Sequence, residues 1–474
     1  MSSITGVWWA HTPRKARRTA VAAIAIGVAL LLVSAFVWYS PANPVGPIHI
    51  SAAVARAEAL AKQKALQQRQ LLSSVSALKQ KLALAESRAA TAQQALDKAT
   101  NRATESQRQL TALKRSAAAA AAASAAAQHS SSITTSSPLS VASTPVSTPS
   151  LSSIVHPATR LFGMYTAQAP FNFATFDDTS AKIGSSPNVV GYFGGWDQTY
   201  RADAVKAAWK RHTLPILTWE SRPIDAGNNT VSEPEYTVPK ILSGKYDTYL
   251  RQYARAIVKA KLPLGIRFDH EMNGVWYPWS ETDGQGNSIN SNSPGDYVKM
   301  WKYVHDIFQS EGANKYVFWI WSPNIINNLP TTHKSLDYLK SLYPGDAYVD
   351  WVGLSGYLRP AYKPDNDFSF NYTFGSSIDQ LRQLTSKPIF LSEIGASEVG
   401  GHKSAWITSL FDALAKPENA DILGFSWFDM AVTSYTEGQL ATNDWRIDSR
   451  PDSLAAFKAG INTPGDGFKL RRAS

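Results

Sequence analysis

Eight short apolar runs recur along the second half of the chain, separated by polar or amphipathic stretches. Most lack the strict alternation of a half-buried strand, so they are typical of strands buried on both faces. The runs are Leu161–Tyr165, Val189–Phe193, Leu214–Trp219, Leu264–Phe268, Tyr316–Trp321, Trp351–Gly356, Pro388–Ser392 and Ile422–Trp427. A helix is predicted between two of them, over Pro294–Gln309, because apolar residues recur there at helical spacing after Ser293.

Buried strands that alternate with helices predict a parallel sheet covered by helices, an α/β fold. Eight such units in about 300 residues match the size of a (β/α)8 TIM barrel, which we assign to residues 160–465. A doubly wound open sheet is the alternative. No glycine-rich phosphate loop follows the first run, however, so the barrel is the better interpretation.

The chain before the barrel begins with a basic tail and an apolar run. Arg14, Lys15, Arg17 and Arg18 lie in the tail, residues 1–18, and residues 19–39 are uncharged and about long enough to cross a bilayer. The positive-inside rule predicts a single-pass membrane protein with a cytoplasmic N-terminus and an extracellular barrel. A signal peptide whose cleavage releases a secreted protein is the alternative.

Two further segments separate the apolar run from the barrel. Residues 51–115 contain no proline or glycine, and Leu and Ala recur there in steps of three and four. This pattern predicts a helical, coiled-coil-like stalk that self-associates through residues 71–113, although a single solvated helix fits as well. Residues 116–159 contain an alanine tract, then Ser, Thr and Pro, and no Lys, Arg, Asp or Glu. They predict a disordered linker.

Charge and cysteine content exclude some classes of function. The net charge is +10, but residues 1–159 hold 16 Lys and Arg against 4 Asp and Glu, and the remainder holds 31 against 33. The barrel therefore has no basic excess, and we expect no nucleic-acid partner. The chain has no cysteine, which rules out thiol nucleophiles and thiolate metal sites. We expect no metal and no cofactor.

Two glutamates at the ends of distant apolar runs indicate hydrolysis of glycosidic bonds. Glu271 follows the fourth run and precedes Trp276, Tyr277 and Trp279, and Glu393 follows the seventh. Glycoside hydrolysis needs one protonated and one ionised carboxyl group. Apolar walls raise a carboxyl pKa, so Glu271 suits the acid/base, and Glu393, with Tyr357 as a hydrogen-bond donor, suits the nucleophile.

Other polar and aromatic residues also fall at the predicted strand ends, where a barrel keeps its site. His270 orients Glu271, binds a sugar hydroxyl or is an ordinary strand-end histidine. Asn273 either binds substrate or makes the turn with Gly274, and Arg267 is either a site cation or a structural partner. Glu220 and Asp269 are more readily structural, and Asn324 follows the fifth run. The candidate aromatic contacts to substrate are Trp196, Trp219, Trp276, Trp321, Tyr357 and Trp427.

The segment Arg267–Trp279, which reads RFDHEMNGVWYPW, resembles the acid/base signature of glycoside hydrolase family 26, the β-mannanase-like family. The run FLSEIGA at 390–396 is similar to that family's nucleophile strand. The resemblance covers about residues 160–465. It implies a retaining mechanism with Glu271 as acid/base and Glu393 as nucleophile. It also implies that His270, Trp276, Tyr357 and Trp427 line the sugar subsites nearest cleavage.

Together these features predict a membrane-tethered, extracellular, retaining endo-β-glycanase that hydrolyses a polysaccharide of the mannan or β-glucan type. The resemblance leaves the sugar open, because the aromatic run after Gly274 differs from typical mannanases. A non-catalytic protein that binds polysaccharide or serves exopolysaccharide assembly through the same barrel is the alternative.

Overall fold

The computed structural model describes residues 146–227, 230–436 and 439–473. Eight parallel strands close into a barrel in chain order, with the first strand paired to the last. They are β1 (Leu161–Tyr165), β2 (Val189–Gly195), β3 (Leu214–Glu220), β4 (Leu264–Phe268), β5 (Val317–Trp321), β6 (Trp351–Leu358), β7 (Ile389–Ala396) and β8 (Ile422–Phe428). The predicted barrel is confirmed, and the open sheet is excluded.

Helices cover the outside of this barrel. They are α1 (Leu151–Val155), α2 (Ala174–Ile183), α3 (Ala202–Lys210), α4 (Val238–Leu242), α5 (Asp247–Ala260), α6 (Asp296–Ser310), α7 (Leu336–Ser341), α8 (Ser376–Leu384), α9 (Lys403–Leu414) and α10 (Pro451–Ile461). Helix α6 starts at Asp296 rather than at Pro294. Gly295 precedes it with φ +86°, a conformation that interrupts the chain before the first helical turn.

The strands present one set of side chains to the barrel interior and the other to the helices. On β3, Thr218 bonds the interior residue Tyr165, whereas Trp219 packs on Tyr253 of α5. The barrel closes tightly where β8 meets β1. There Gly424 has φ +136°, and a Cβ atom on it would lie 1.9 Å from the Leu161 carbonyl oxygen. Glycine is required at this closure because any side chain would push the two strands apart.

Strands β6 and β7 extend further than predicted. The β6–β7 ladder continues through the pairs Tyr357–Gly395 and Leu358–Ala396. Glu393 and Tyr357 therefore lie within strands, not after their ends. Polar side chains in these strands form hydrogen bonds inside the barrel. The backbone pairing of β6 with β7 therefore continues beyond the end of each apolar run. Regular strand backbone therefore holds both the Glu393 and the Tyr357 side chains.

The segments that flank the barrel are described in part. The predicted tail, membrane span and stalk, residues 1–18, 19–39 and 51–115, lie outside the described residues. The predicted linker is described from residue 146 onward, where α1 docks and the Val155 carbonyl accepts a hydrogen bond from Trp351 Nε1 at 2.9 Å. None of the helices in the described ranges is both long and apolar enough to cross a bilayer.

The chain after β8 forms a hairpin and then returns to the barrel. The hairpin consists of β9 (Ala431–Thr436) and β10 (Gln439–Asp444). Trp445 then lies 4.7 Å from Tyr357, ring centre to ring centre, and Phe457 of α10 packs on Trp427 at 5.2 Å. This docking agrees with a structural role for Trp445–Phe457. Finally, the two-residue strand Arg471–Arg472 pairs with Ser185–Ser186.

Candidate active site

A strained turn after β4 carries three acidic or basic side chains in succession. Asp269 and Glu271 adopt φ angles of +37° and +56°, which non-glycine residues seldom do. The turn is held from both sides, because the Asp269 N–H donates to the Trp219 carbonyl at 3.0 Å and the Glu271 N–H to the Ser322 carbonyl at 2.7 Å. The neighbouring strands thus fix the direction of the Glu271 side chain.

The Asp269 side chain braces the same turn. Its two carboxyl oxygens accept hydrogen bonds from Ser221, one from the backbone N–H at 2.7 Å and one from the hydroxyl at 2.6 Å. Tyr297 of α6 donates to the Asp269 carbonyl at 3.2 Å. Asp269 is fully buried and its described contacts are internal, which is compatible with the structural role that the sequence favours.

Glu393 points into the barrel interior and is held by two donors. Arg267 Nη1 donates to Glu393 Oε2 at 2.6 Å, and the Tyr357 hydroxyl donates to Oε1. Arg267 is itself 0% exposed. A charge-assisted hydrogen bond of this kind stabilises the ionised carboxylate. Both Glu393 carboxyl oxygens therefore have a side-chain donor within a buried site.

Hydroxyl groups from three strands complete the surroundings of Arg267. Its Nε donates to Ser322 at 3.0 Å and its Nη1 to Thr218 at 3.2 Å, and Nη2 donates to the Ser355 hydroxyl. Arg267 therefore contacts the candidate site residue Glu393 and also links three strands of the barrel. The sequence had left these two roles of Arg267 as alternatives. The hydroxyl residues were missed, although each is a polar residue in or beside an otherwise apolar run.

The Glu271 and Glu393 carboxyl groups are close neighbours in different environments. One oxygen from each, together with a ring nitrogen of His270, lie within 4.8 Å of one another. Burial, followed by the negative charge of Glu393, raises the pKa of Glu271. Arg267 opposes this rise, and Trp276 also opposes it by donating its Nε1–H to Glu271 Oε2 at 2.8 Å. Burial and the neighbouring carboxylate thus favour the protonated form of Glu271.

His270 is a neutral, buried ring beside this pair. Burial, and then the charges of Arg267 and Arg222, hold the pKa of His270 well below its usual value. Its Nδ1 has no hydrogen-bond partner among the described residues and lies 3.9 Å from Glu220 Oε1. The ring packs on Tyr277 at 4.8 Å. This geometry leaves His270 able to contact a bound sugar.

Arg222 is a site residue that the sequence reasoning missed. It forms a bidentate pair with Glu220, with N–O distances of 3.0 and 3.1 Å, and both side chains are buried. Its guanidinium also lies over the Tyr277 ring at 4.8 Å. The sequence Glu-Ser-Arg at the end of β3 could have indicated this pair, because side chains two residues apart in an extended chain point to the same side.

Asn273 links two loops in the structure. The side-chain Nδ2 of Asn273 donates to the backbone carbonyl of Asn324, and the side-chain Oδ1 of Asn273 accepts from the backbone N–H of Asn324, both at 2.8 Å. These contacts join the loop after β4 to the loop after β5. Asn324 also helps to stabilise the ionised form of Glu271, so Asn273 holds a residue that acts on the candidate acid/base.

The candidate tryptophans divide into two groups. Trp276 contacts Glu271. The other four candidate tryptophans were expected beside the carboxyl groups, but they lie in the layer between the barrel and the helices. The alternation of side chains along a strand turns three of them outward. Trp196 follows a strand, and the packing of its loop turns its side chain outward. Their contacts are Trp196 on Phe268 at 5.9 Å, Trp219 on Tyr253 at 4.7 Å, Trp321 Nε1 to the Leu342 carbonyl at 3.1 Å, and Trp427 on Trp406 at 6.1 Å.

His270, Glu271 and Glu393 are near enough to one another to share a cation. Arg267 already supplies the positive charge at Glu393, however, so a second cation would be repelled there. The arrangement suits proton transfer and nucleophilic attack better than metal binding.

A parallel eight-stranded barrel with paired carboxyls at one end is typical of glycoside hydrolases. Residues 224–398 match the model of glycosyl hydrolase family 26. Endoglucanase H of Acetivibrio thermocellus is 28% identical over 282 residues, which are 59% of this chain and 28% of the relative. The mannan endo-1,4-beta-mannosidase of Bacillus subtilis strain 168 is 24% identical over 317 residues, 60% of this chain and 79% of the relative. The family match and these relatives support the resemblance to the β-mannanase-like glycoside hydrolase family 26 that the motifs implied.

The solved structures that this chain matches include a modular endo-beta-1,4-mannanase from Cellulomonas fimi. It is 17% identical, with a TM-score of 0.48, over 67% of this chain and 75% of that chain. The chain spans less than a third of the length of endoglucanase H.

Proposed function

We propose that this chain is a retaining endo-β-glycanase that cleaves a β-linked polysaccharide through a glycosyl-enzyme intermediate. The observation that carries the proposal is the proximity of the Glu271 and Glu393 carboxyl oxygens, within 4.8 Å. Retaining enzymes hold their two carboxyl groups about 5–5.5 Å apart, and inverting enzymes about 6.5–9.5 Å apart to admit a water. The short separation supports direct attack by Glu393.

In the first step Glu271 acts as an acid and Glu393 as a nucleophile. Glu271 transfers its proton to the glycosidic oxygen as the bond from that oxygen to the anomeric carbon breaks. A Glu393 oxygen forms an ester bond to the anomeric carbon from the opposite side. The raised pKa of Glu271 favours the protonated form that this step needs, because burial and the Glu393 charge disfavour loss of the proton.

In the second step the roles reverse. Glu271, now ionised, takes a proton from a water as the water oxygen bonds to the anomeric carbon and the ester to Glu393 breaks. Arg267 and Tyr357 stabilise the departing Glu393 carboxylate through the contacts described above. Trp276 stabilises the ionised Glu271 between the two steps.

The substrate class follows from the family and from the relatives' names. One relative is an endoglucanase and another a mannan endo-1,4-beta-mannosidase. We propose that this chain likewise cuts a β-linked glucan or mannan within the polymer. His270, Trp276 and Tyr357 stand beside the reacting carboxyls and are proposed to contact the sugar.

We also propose that the enzyme acts outside the cell while held to the membrane through residues 19–39. The composition of residues 1–39 supports this location. Fractionation of cells that express the full chain checks it: a membrane-bound protein with its original N-terminus is expected, whereas a soluble form that begins near residue 45 contradicts it.

The catalytic assignment is tested with Glu271→Gln and Glu393→Gln on β-mannan, β-glucan and β-xylan. Each variant should lose at least about a thousandfold in kcat on the polymer that the wild type cleaves. Glu418→Gln serves as the control, because Glu418 lies before β8 at the opposite end of the barrel. Unchanged activity in either variant contradicts the assignment. Polysaccharide binding without turnover by the wild type indicates a non-catalytic protein.

A further inference from the structure

Catalysis by Glu271 and Glu393 leaves the buried pair of Glu220 and Arg222 unused. Glu220 ends β3, and the Trp196 N–H donates to the backbone carbonyls of Glu220 and Arg222 at 3.1 and 2.9 Å. Both residues of the pair are only 2% exposed. Taking two charged groups out of water is costly, and a well-packed apolar pair is often at least as stable in such a place. Stability alone therefore does not account for this pair.

The Glu220 carboxyl group faces one particular nitrogen of His270. Glu220 Oε1 lies 3.9 Å from His270 Nδ1, which is too long for a hydrogen bond but close enough to act on the ring electrostatically. Nδ1 has no hydrogen-bond partner among the residues that the structure describes. The carboxyl oxygen therefore acts on Nδ1 without competition from a bound donor in that part of the chain.

The position of a single proton on the His270 ring follows from this contact. Burial, and then the charges of Arg267 and Arg222, keep the pKa of His270 well below its usual value, so the ring is neutral. A neutral imidazole carries one N–H, and its other nitrogen is an acceptor. A lone pair on Nδ1 would be repelled by the Glu220 oxygen, whereas an N–H there is attracted to it. Arg222 donates to both Glu220 oxygens and so stabilises the carboxylate, against the rise that burial causes in the Glu220 pKa.

The same pair and its aromatic neighbours fix the orientation of the ring. The Arg222 guanidinium lies over the Tyr277 ring at 4.8 Å, and Tyr277 packs on His270 at 4.8 Å. Trp279 stacks on Tyr277 at 4.5 Å and donates its Nε1–H to the His270 carbonyl at 2.7 Å. Turning Nδ1 away from Glu220 would disrupt this packing. Nε2 is therefore the nitrogen that remains for a ligand.

We propose that Glu220 and Arg222 are positioning residues that keep the His270 proton on Nδ1, so that Nε2 accepts a hydrogen bond from a sugar hydroxyl. This inference rests on the proposed glycanase activity and specifies how its sugar is recognised. A ring nitrogen of His270 lies within 4.8 Å of an oxygen of Glu271 and of Glu393, so the hydroxyl belongs to a sugar at the reacting bond. The contact from Nδ1 to Glu220 should shorten when that sugar binds, because such hydrogen bonds often tighten only in the complex.

The tautomer is measured directly by nitrogen NMR of the full-length enzyme prepared with isotopically labelled histidine. His270→Gln identifies the His270 signals among those of the nine histidines. The wild type should show a protonated Nδ1 and an unprotonated Nε2 at neutral pH. Glu220→Gln should shift the ring toward the other tautomer, because Arg222 takes the amide oxygen and leaves the amide N–H groups to face Nδ1.

Glu281→Gln is the matched control for the loss of a buried carboxyl group. Glu281 is 3% exposed and accepts a hydrogen bond from the Tyr297 N–H at 3.0 Å. The replacement changes the same group in another part of the barrel, so the His270 tautomer should stay as in the wild type.

Kinetics test whether the pair acts through His270. Glu220→Gln should lower kcat/KM at least about tenfold on the polymer that the wild type cleaves, the loss expected for one hydrogen bond to the sugar. In the His270→Gln background the same change should cost less than about twofold, because the contact is already absent. A pair that is only structural would give a similar loss in both backgrounds.

Failure of this inference differs from failure of the proposed function. A wild type with the His270 proton on Nε2 overturns the inference, and this result depends neither on a variant nor on activity. An unchanged tautomer in Glu220→Gln, or an equal loss of kcat/KM in both backgrounds, overturns it as well, while cleavage of the polymer still supports the glycanase. If the wild type shows the expected tautomer but cleaves no polymer, the proposed function fails, and the role of His270 toward a sugar fails with it.

Discussion

The sharpest consequence of the structure concerns Arg267, whose replacement by methionine should destabilise the barrel and stop catalysis together. Arg267 is 0% exposed and pairs with the buried Glu393 at 2.6 Å. Methionine has a similar length but supplies no charge and no donor. Glu393 would then be a buried carboxylate with Tyr357 as its remaining donor.

The expected size of the effect follows from that unpaired charge. Removing one partner of a buried ion pair costs about 3–5 kcal/mol of unfolding free energy. For a domain of this size that corresponds to a decrease in Tm of roughly 6–12 °C. Arg255→Met is the matched control, because Arg255 is 65% exposed and pairs with Glu311 at 2.7 Å. An exposed pair of this kind contributes at most about 1 kcal/mol.

The decisive variant is the double replacement Arg267→Met/Glu393→Gln, which removes both charges. Urea unfolding should show that the double variant recovers at least about 2 kcal/mol relative to Arg267→Met alone, since no unpaired charge remains. Arg267→Met should also lower kcat at least about a hundredfold. If the double variant is no more stable than the single one, the cost does not come from the Glu393 charge and the reasoning is refuted.

Three further outcomes are expected. Trp276→Phe removes the donor to Glu271 Oε2, so the pKa of Glu271 should rise and the alkaline limb of kcat/KM should move to higher pH; an unmoved or lowered limb contradicts this. Lys403→Met removes a buried cation that contacts Glu398 at 3.3 Å and the Arg446 carbonyl at 2.5 Å; urea unfolding should show a loss of about 3 kcal/mol, and a loss below about 1 kcal/mol would not fit. Gly424→Ala should lower the free energy of unfolding by about 3 kcal/mol or more, because of the clash at the β1–β8 closure. Gly286→Ala is the control, because Gly286 also has a positive φ, +95°, but open space around it. An equal loss of stability in both variants would contradict the clash.

The barrel could be predicted because every strand is buried on both faces. The observed bounds of Leu161–Tyr165 and Leu264–Phe268 match the predicted ones, although the second contains Arg267. Strands β6 and β7, which carry several polar residues, were predicted too short. Ser392 and Glu393 look like the end of a run, yet interior hydrogen bonds allow β7 to continue to Ala396.

The proximity of Glu271 and Glu393 could also be predicted, since the carboxyl ends of parallel strands meet at one end of a barrel. The orientation of individual aromatic side chains could not. Trp219 is adjacent to Thr218, and a shift of one residue decides whether a side chain faces the barrel interior or the helices. The same ambiguity applied to Trp321 and Trp427. The positive-φ turn at Asp269 and Glu271 was also hidden, because neighbouring strands impose it.

The measurement that tests the account most directly is covalent trapping of the intermediate. The full-length enzyme is treated with activated 2-deoxy-2-fluoro β-glucosides and β-mannosides, which slow the second step, and the labelled peptide is identified by mass spectrometry. The account predicts one sugar bound as an ester to Glu393, no label in Glu393→Gln, and a first product with retained β configuration by proton NMR. A label on another residue, or an inverted product, would contradict it.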